Sequence, residues 1–435
     1  MKTKQKKDKI NIITLGCSKN MVDSEVLSGQ LVAGQLDVVH ENRKGDHNIV
    51  IVNTCGFIDK AKEESISTIL DQVELKRRGK LDKVYVTGCL SERYRTNLEA
   101  EIPEVDAYFG TFELPQLLKK FSVNYQQELV GERMLSTPAH YAYLKISEGC
   151  NRTCSFCAIP LMRGKHVSRP VEALVQEARQ LVKRGVKEIM LIGQELTYYG
   201  LDLYKQRELP RLMHALADIE GLEWIRLHYA YPSKFPLEIL DVMRERPNIC
   251  KYLDMPLQHA SDRMLKAMRR QITRSEMNEL IYNIRERVPG ICLRTTLIAG
   301  FPGETAEDVE EVKSFLHEHR FDRVGVFAYS HEEDTSAHSF TDDVPQELKE
   351  ERAREIMDVQ QEISYEKNQE KIGQVFKVVI DRRESGRWIG RTEFDSVEVD
   401  NEVIVLTTQK LQPGDFVQVL ITKAYDYDLQ GELVV

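Results

Sequence analysis

Three cysteines lie within a short segment, SEGCNRTCSFCAIP, at positions 147–160. Cys150, Cys154 and Cys157 have the spacing C-x3-C-x2-C, and no fourth cysteine follows nearby. Such a loop can direct three sulfur atoms at one iron–sulfur cube and leave its fourth iron open to an external ligand. The alternatives are a zinc site completed by His166 or three unrelated thiols.

A second set of three cysteines is spread over the first hundred residues. Cys17, Cys55 and Cys89 directly follow the runs INIITLG, NIVIVNT and KVYVTG, which have the composition of buried strands. Because the carboxyl ends of parallel strands share one rim, these side chains are predicted to meet and to hold a second cluster. The alternative is three small buried apolar side chains. Cys250 and Cys292 fall inside predicted strands and are interpreted as core residues.

The totals describe an ordinary globular chain of several domains. It has 435 residues, 42% of them apolar and 30% charged, with a net charge of −9. That charge argues against a protein that coats nucleic acid, although a local basic groove is compatible with it. No apolar run reaches the length of a membrane span, and the basic start MKTKQKKDK has no secretory pattern, so a cytoplasmic protein without membrane contact is expected.

The elements that must position these cysteines form three predicted regions. From residue 10 to about 120, strand runs alternate with amphipathic helices, which predicts a parallel α/β sheet. A second alternating series predicts a barrel or partial barrel of six βα units, with its active site at the carboxyl ends of the strands. Its strand runs are AYLKIS, KEIMLIG, EWIRLHY, CKYLDM, CLRTTLIAG and DRVGVFAYS.

The remaining segments are predicted as connections and a small last module. Residues 121–140 lose the alternating pattern and are interpreted as a linker. A charged helix is predicted over 345–373. Residues 374–435 contain short alternating runs, which predict a small antiparallel β-barrel. Those runs are QVFKVVI, DSVEVD, EVIVL and DFVQVLITKAY.

The cysteine motif on the first strand of a six-unit barrel resembles the radical S-adenosylmethionine superfamily. Three further cysteines in an N-terminal α/β domain, and a C-terminal barrel similar to the TRAM module, resemble its methylthiotransferase family. The segments LGCSKNMVDSE, VNTCGFI and GCNRTCSFCAIP are most similar to members that modify an aspartate of a small-subunit ribosomal protein. The resemblance implies domains at 1–125, 136–368 and 371–435.

The resemblance also implies the chemistry. Cys150, Cys154 and Cys157 would hold the catalytic [4Fe-4S] cluster, whose open iron binds S-adenosylmethionine and whose electron releases a 5′-deoxyadenosyl radical. The second [4Fe-4S] cluster would carry the sulfur that is methylated and joined to the aspartate β-carbon. An electron donor such as flavodoxin is expected as a partner.

Further site residues are predicted at the strand ends. Gly193, Gln194 and Glu195 resemble the superfamily's Gly-Gly-Glu motif, which binds the methionine ammonium group, although Gln194 departs from it. The segment LIAGFPGET places Gly300 and Glu304 at the same rim, where glycine allows close approach of the backbone to a ligand. Other polar residues expected at the rim are His228, Tyr229, Gln258, His259 and His331, and Arg294 is a candidate carboxylate ligand inside the barrel.

The charge of the last module bears on the substrate. Residues 371–435 contain eight Lys or Arg and eleven Asp or Glu, a balance of −3. An acidic barrel suits a basic ribosomal protein better than tRNA, since tRNA binding relies on basic side chains. The barrel is expected to dock the substrate and to contribute little to the chemistry. A tRNA adenosine methylthiotransferase is the alternative, followed by a non-enzymatic iron–sulfur electron carrier or sensor.

Overall fold

The computed structural model describes residues 8–42, 45–126 and 131–434. Most of the basic start and residues 127–130 of the predicted linker lie outside the described residues. Within the described ranges, no helix combines the length and apolar character needed to cross a bilayer. The chain divides into two compact units: Met1–Thr137 with Glu148–Asn151 and Ala158–Val167, and Pro138–Ser147 with Arg152–Cys157 and Ser168–Val435.

The first unit contains a parallel five-stranded sheet in the order β2-β1-β3-β4-β5. Its strands are β1 (Lys9–Thr14), β2 (Asp37–His40), β3 (Ile49–Thr54), β4 (Lys83–Gly88) and β5 (Ala107–Tyr108). Its helices are α1 (Ser18–Ala33), α2 (Asp59–Arg77), α3 (Cys89–Glu101), α4 (Leu114–Lys119) and α5 (Ile159–Arg163). The predicted parallel α/β region is confirmed; the short strands β2 and β5 were not predicted.

Helices cover both faces of this sheet. Val50 and Val52 share an apolar cluster with Ile69 of α2, whereas Ile51 shares another with Leu31 of α1. Neighbouring residues of a strand point to opposite faces, so the unbroken run IVIV in β3 is what a strand buried on both sides requires.

The second unit contains a six-stranded parallel sheet in the order β13-β12-β11-β10-β9-β6. Its strands are β6 (Tyr141–Lys145), β9 (Glu188–Ile192), β10 (Trp224–Leu227), β11 (Ile249–Asp254), β12 (Cys292–Ala299) and β13 (Arg323–Ala328). Two short strands between β6 and β9, β7 (Ser147–Glu148) and β8 (Val167–Ser168), pair with each other. Six strands were predicted, and the six-stranded sheet confirms them.

Helices follow the strands of this sheet in the βα pattern. They are α6 (Val171–Lys183), α7 (Leu201–Tyr204), α8 (Leu209–Ala217), α9 (Glu238–Glu245), α10 (Asp262–Ala267), α11 (Arg274–Arg287), α12 (Ala306–His319) and α13 (Gln346–Gln369). The predicted charged helix is α13. It contacts the segment before β13, where Gln360 donates to the carbonyl of Phe321 at 2.9 Å. It also contacts the last module, where Asn368 donates to the carbonyl of Tyr427 at 2.9 Å.

The chain ends in a closed five-stranded barrel in the order β14-β15-β16-β18-β17, as predicted for the last module. Its strands are β14 (Val375–Glu384), β15 (Arg387–Thr392), β16 (Val403–Leu406), β17 (Phe416–Ala424) and β18 (Leu429–Leu433). The pairing is antiparallel except between β16 and β18, which run parallel.

One strand prediction in this barrel is wrong. The run DSVEVD at 395–400 forms turns instead of a strand, and β15 and β18 were not predicted. The reason is tertiary: the Asp395 carboxylate accepts from Arg323 of β13, and the Ser396 hydroxyl lies 2.9 Å from His228 Nε2. The polar side chains of this segment therefore bond to the six-stranded sheet, while β15 and β18 complete the barrel.

Candidate active site

In the first unit, the three dispersed cysteines share one rim of the sheet. Cys17 is the N-cap residue of α1 after β1, Cys55 directly follows β3, and Cys89 opens α3 directly after β4. Those three strands are neighbours, so their carboxyl ends lie side by side. Cys17 and Cys89 both lie close enough to Cys55 to act on its charge. The predicted grouping is present, and its role as a cluster ligand set stays a prediction.

Glycine makes this rim compact. Gly16 has a φ of +89°, and a Cβ at that position would lie 2.7 Å from the Cβ of Cys55. Gly88 has a φ of +98°, and a Cβ there would lie 2.4 Å from Asn53 Oδ1. A larger residue before Cys17 or Cys89 would therefore push the strand ends apart.

Burial shapes the chemistry of these thiols. Burial raises the pKa of the Cys55 thiol to about 12. Burial also raises the pKa of the Cys89 thiol, and the nearby Arg163 guanidinium opposes that rise. A metal binds the thiolate, so cluster assembly must displace protons from both side chains. An all-sulfur donor set of this kind suits iron–sulfur chemistry.

Arg163 is a functional candidate that the sequence reasoning missed. Its Nε donates to Cys89 Sγ at 3.3 Å, and its side chain is 3% exposed. It also bonds to the carboxylate of Asp23 at 2.6 Å and to the side-chain oxygen of Asn20. Arg163 belongs to the segment PLMRGK, which begins three residues after Cys157. No pattern in the sequence indicates that the Arg163 side chain is buried, so sequence reasoning could not identify it.

Cys150 lies in the first unit, where its N–H donates to the carbonyl of Gly164 at 3.1 Å. Gly149 before it has a φ of +75°, and a Cβ there would lie 2.2 Å from the carbonyl oxygen of Lys165. His166 is buried, and its N–H donates to Asn151 Oδ1 at 3.1 Å. Among the described residues, no three His, Cys, Asp or Glu side chains are grouped as a single metal ion requires.

Cys154 and Cys157 lie in the second unit, in a loop that is held at its centre. The N–H of Cys157 donates to the carbonyl of Cys154 at 3.2 Å, which makes a tight turn. Ser155 between them donates to the carbonyls of Met268 and Ala267, at 3.0 and 2.8 Å. Arg270 Nη1 donates to Cys154 Sγ at 3.2 Å. Phe156 packs against the apolar cluster that contains Met264, Met268 and Phe301.

The predicted ammonium-binding motif follows β9, and its carboxylate is already engaged. Glu195 Oε1 accepts from the N–H and the hydroxyl of Thr197, both at 2.6 Å. Glu195 Oε2 accepts from Nε and Nη2 of Arg152, at 3.3 and 3.2 Å. A carboxylate offers about four acceptor sites, so these four donors fill it. The structure therefore shows Glu195 paired with Arg152, and its contact with the methionine ammonium group stays a prediction.

Arg152 is a second residue that the sequence reasoning missed. Its guanidinium carbon lies 3.9 Å from the ring centroid of Tyr198 and 3.8 Å from that of Tyr231. The hydroxyl of Tyr231 lies 3.8 Å from Cys154 Sγ. Stacking between two aromatic faces fixes a guanidinium plane, so Arg152, Glu195 and the cysteine loop form one rigid arrangement.

The glycine of the predicted motif has a packing reason. A Cβ at Gly193 would lie 2.7 Å from Ser147 Oγ of β7, so a larger residue here would require that side chain to move. Gln194 follows it as a half-buried residue. Their contact with a cofactor stays a prediction.

Gly300 and Glu304 lie at the carboxyl end of β12, as predicted. Glu304 is buried, and its Oε2 accepts from the N–H of Gly300 and from Arg352 Nη1, at 2.8 and 2.9 Å. A Cβ at Gly300 would lie 2.2 Å from the side chain of Lys349 on α13, so the close approach of this helix favours glycine at position 300. Thr305 then caps α12. These contacts shape the turn, and a direct contact with a cofactor stays a prediction.

The remaining rim residues differ in their surroundings. His259 Nδ1 accepts from the N–H of Ser261 at 2.9 Å, and its Nε2 lies 3.2 Å from Glu304 Oε1, so this histidine is held on both sides. Gln258 and Tyr229 adopt left-handed backbone conformations, with φ of 77° and 64°. His331 Nδ1 lies 3.2 Å from the Tyr329 hydroxyl.

Arg294 points at partners of its own chain. Its Nη1 donates to Asp254 Oδ1 at 3.0 Å, and its Nε donates to Asp400 Oδ1 of the C-terminal barrel at 3.3 Å. The carboxylates that Arg294 binds in this structure are therefore those of Asp254 and Asp400. Cys250 and Cys292 are buried in an apolar cluster with Trp224 and Tyr252, which confirms that they are core residues.

The exposed charges of the C-terminal barrel differ from its sequence total, because several acidic residues are buried in ion pairs. The exposed basic residues are Lys377, Arg382, Arg383, Arg387, Lys410 and Lys423. The exposed acidic residues are Glu384, Glu398, Asp426 and Glu432. The acidic balance counted from the sequence therefore overstates the negative charge on the barrel surface, and the preference of the barrel for a basic protein stays a prediction.

Family models match most of the chain. The Radical SAM superfamily matches residues 144–316, the TRAM domain matches 372–434, and a family described as uncharacterized protein family UPF0004 matches 9–110. Membership of the radical SAM superfamily implies S-adenosylmethionine and a [4Fe-4S] cluster.

Solved structures share the fold. The radical S-adenosylmethionine methyltransferase TsrM from Kitasatospora setae has a TM-score of 0.54 at 14% identity, covering 73% of each chain. The cobalamin-dependent S-adenosylmethionine radical enzyme OxsB has a TM-score of 0.51 at 13% identity, covering 81% of this chain and 56% of that chain.

Relatives match over the full length. The ribosomal protein uS12 methylthiotransferase RimO of Flavobacterium psychrophilum is 59% identical over 434 residues, covering 99% of this chain and 100% of the relative. The protein of the same name from Cytophaga hutchinsonii is 58% identical, covering 100% of both. The one from Porphyromonas gingivalis is 54% identical, covering 99% and 100%. With such identity over its whole length, the chain belongs to the ribosomal protein uS12 methylthiotransferase family.

Proposed function

We propose that this chain attaches a methylthio group to the β-carbon of an aspartate in ribosomal protein uS12, using radical S-adenosylmethionine chemistry. The observation that carries this proposal is the identity of 52–59% with relatives of that name over nearly the whole chain. Two separate sets of three cysteines, each next to strand ends, support it. Such a substrate places the reaction in the cytoplasm.

The chain would hold two [4Fe-4S] clusters through thiolates alone. Cys150, Cys154 and Cys157 are the proposed ligands of the cluster that binds S-adenosylmethionine, and Cys17, Cys55 and Cys89 those of the second. When bound, the clusters supply the electron that cleaves S-adenosylmethionine and the sulfur that enters the product. A flavodoxin-like donor is the proposed source of electrons.

The residues around Cys154 would keep its loop in place during the reaction. Ser155 ties the loop to the carbonyls of Met268 and Ala267. The buried pair of Arg152 and Glu195 supports the adjacent Tyr231. We propose that Glu195 contributes to S-adenosylmethionine binding by fixing Arg152, because its own acceptor sites are filled.

A tRNA substrate is the second candidate. Arg383 and Arg387 are exposed on the hairpin of β14 and β15, and exposed cations of this kind suit contact with phosphate. An assay that offers both substrates distinguishes the two candidates.

The test is a paired assay with reconstituted protein. Wild type and the variant Cys150→Ala/Cys154→Ala/Cys157→Ala are incubated with reductant, S-adenosylmethionine and either uS12 or tRNA. Peptide and nucleoside mass spectrometry then detect the methylthio group. Modification of uS12 by wild type alone supports the proposal, and modification of tRNA instead would replace it with the second candidate.

A further inference from the structure

Arg163 connects two parts of the sequence that carry different cysteines. It is the last residue of α5, six residues after Cys157, and it lies in the first unit against Cys89. Its side chain is 3% exposed. A buried guanidinium is costly unless it is paired, so the groups around Arg163 indicate which negative charges it stabilises.

The contacts of Arg163 divide between carboxylates and sulfur. Nη1 bonds to Asp23 at 2.6 Å and to Glu148 at 3.3 Å, and Nη2 donates to Asn20. Nε donates to Cys89 Sγ at 3.3 Å. The rigid fork of arginine can serve carboxylates and a sulfur at once, which the point charge of lysine does less well. The two carboxylates hold the group, and Nε directs its charge at the sulfur.

A cation that donates to a ligand sulfur changes the energetics of an iron–sulfur cluster. Each added electron makes the cluster more negative, so a nearby positive charge and a hydrogen bond to sulfur favour the reduced state. Removing that charge lowers the reduction potential, whereas removing a neighbouring carboxylate raises it.

We propose that Arg163 is the counter-charge of the cluster held by Cys17, Cys55 and Cys89 and raises its reduction potential. This inference rests on the proposed second cluster. Residues 150–163 would then contribute to both cysteine sets: Cys150, Cys154 and Cys157 belong to the first, and Arg163 acts on the second.

The test isolates the second cluster in the full-length chain. The background Cys150→Ala/Cys154→Ala/Cys157→Ala removes the thiols of the first cluster, and an EPR-monitored redox titration then reports the remaining one. Arg163→Gln should shift the midpoint to a more negative potential, with Arg163→Lys in between. Asp23→Asn, at a partly exposed carboxylate, should shift it the other way.

Arg133→Gln is the matched control. Arg133 is a fully buried arginine of the same unit, held by Glu25 at 2.9 Å. Glu25 lies on α1 eight residues beyond Cys17, about 12 Å along the helix. This variant should lose stability without a comparable shift in potential.

The outcomes separate the two claims. If the background variant contains no iron, the second cluster does not exist, and the inference falls with it. If iron is retained but Arg163→Gln and Asp23→Asn both titrate like their parent, the inference alone is overturned. Should Arg163→Gln fail to assemble a cluster, Asp23→Asn and Arg163→Lys still decide the sign of the effect.

Discussion

Arg391 of the C-terminal barrel and Glu188 at the start of β9 form a buried ion pair, with Nη2 2.8 Å from Oε2. Glu188 also accepts from Arg226 Nε at 2.9 Å, and Arg391 donates to Asp381 Oδ2 at 2.7 Å. Removing one member of such a network leaves a buried charge without compensation. The barrel is therefore part of the packing of the six-stranded sheet, in addition to its expected role in docking the substrate.

Arg391→Leu should lower the free energy of unfolding by about 3–5 kcal/mol, because Glu188 would lose a buried partner. Urea unfolding followed by circular dichroism measures the loss. The matched control is Arg382→Leu, since Arg382 is 46% exposed and bonds to Glu402 at 2.6 Å. An exposed pair contributes about 0–1 kcal/mol, so equal losses in the two variants would contradict the interpretation.

Deleting residues 374–435 should, for the same reason, impair cleavage of S-adenosylmethionine as well as substrate modification. The truncated chain would leave Arg226, Arg294 and Arg323 without their barrel partners. Thermal unfolding and the yield of 5′-deoxyadenosine are the measurements. A truncated protein with the stability and cleavage rate of the full chain would show that the barrel is a separable module.

The same network predicts loss of stability in acid. Burial alone would raise the pKa of Glu188, but Arg391 and Arg226 hold it below its ordinary value. Burial would also raise the pKa of Asp381, but the hydrogen bond with His140 and the charge of Arg391 hold that pKa below its ordinary value. Such carboxyls stabilise the fold above their unfolded pKa of about 4, and this contribution is lost as the pH falls. Asp400 acts in the opposite sense, since burial raises its pKa.

Urea unfolding between about pH 6 and pH 3 tests this sign. Wild type should lose stability on acidification, and Glu188→Gln should lose less over the same range because one of the carboxyls responsible has been removed. Identical pH dependence of the two proteins would assign the acid sensitivity to other groups.

Glu195 and Arg152 should act as a unit on S-adenosylmethionine binding. Glu195→Gln and Arg152→Gln should each weaken binding, by about 1.5–3 kcal/mol for a hydrogen bond between charged groups. If Glu195 works by fixing Arg152, the double variant should bind no more weakly than either single variant. Calorimetry on protein with verified iron content provides the cycle. Additive losses would instead favour direct contact of Glu195 with the ammonium group.

The two cysteine sets should account for all the bound iron. After anaerobic reconstitution, Cys150→Ala/Cys154→Ala/Cys157→Ala and Cys17→Ala/Cys55→Ala/Cys89→Ala should each retain about half of the wild-type iron and sulfide. Cys250→Ala/Cys292→Ala is the control, because those cysteines are buried in an apolar cluster. Full iron content in the Cys17, Cys55 and Cys89 variant would remove the second cluster from the account.

The strand framework was predictable because its signal is local. Runs such as KEIMLIG and EWIRLHY coincide with β9 and β10, and each dispersed cysteine follows the strand that was predicted before it. The runs RWIGRT and LQGEL were overlooked, since Arg, Gly, Gln and Glu weaken a strand pattern and only the closed barrel supplies their partners.

The side chains that surround the candidate sites were not predictable in this way. Arg152 meets Glu195 across 43 residues of sequence, and Arg163 meets Cys89 across 74. The acidic total of the barrel likewise includes carboxylates that are paired internally: Asp395 and Asp400 bond to Arg323 and Arg294. Pairing at such separations is decided by the tertiary fold, which no local pattern encodes.

The central claim is tested most directly by mass spectrometry of uS12 from cells in which the gene is deleted. Wild-type cells should carry a methylthio group on one uS12 aspartate, and the deletion should remove it. A plasmid copy of the wild-type gene should restore the group, whereas Cys150→Ala should not. Unchanged uS12 in the deleted cells, together with loss of a methylthio group from tRNA, would contradict the account.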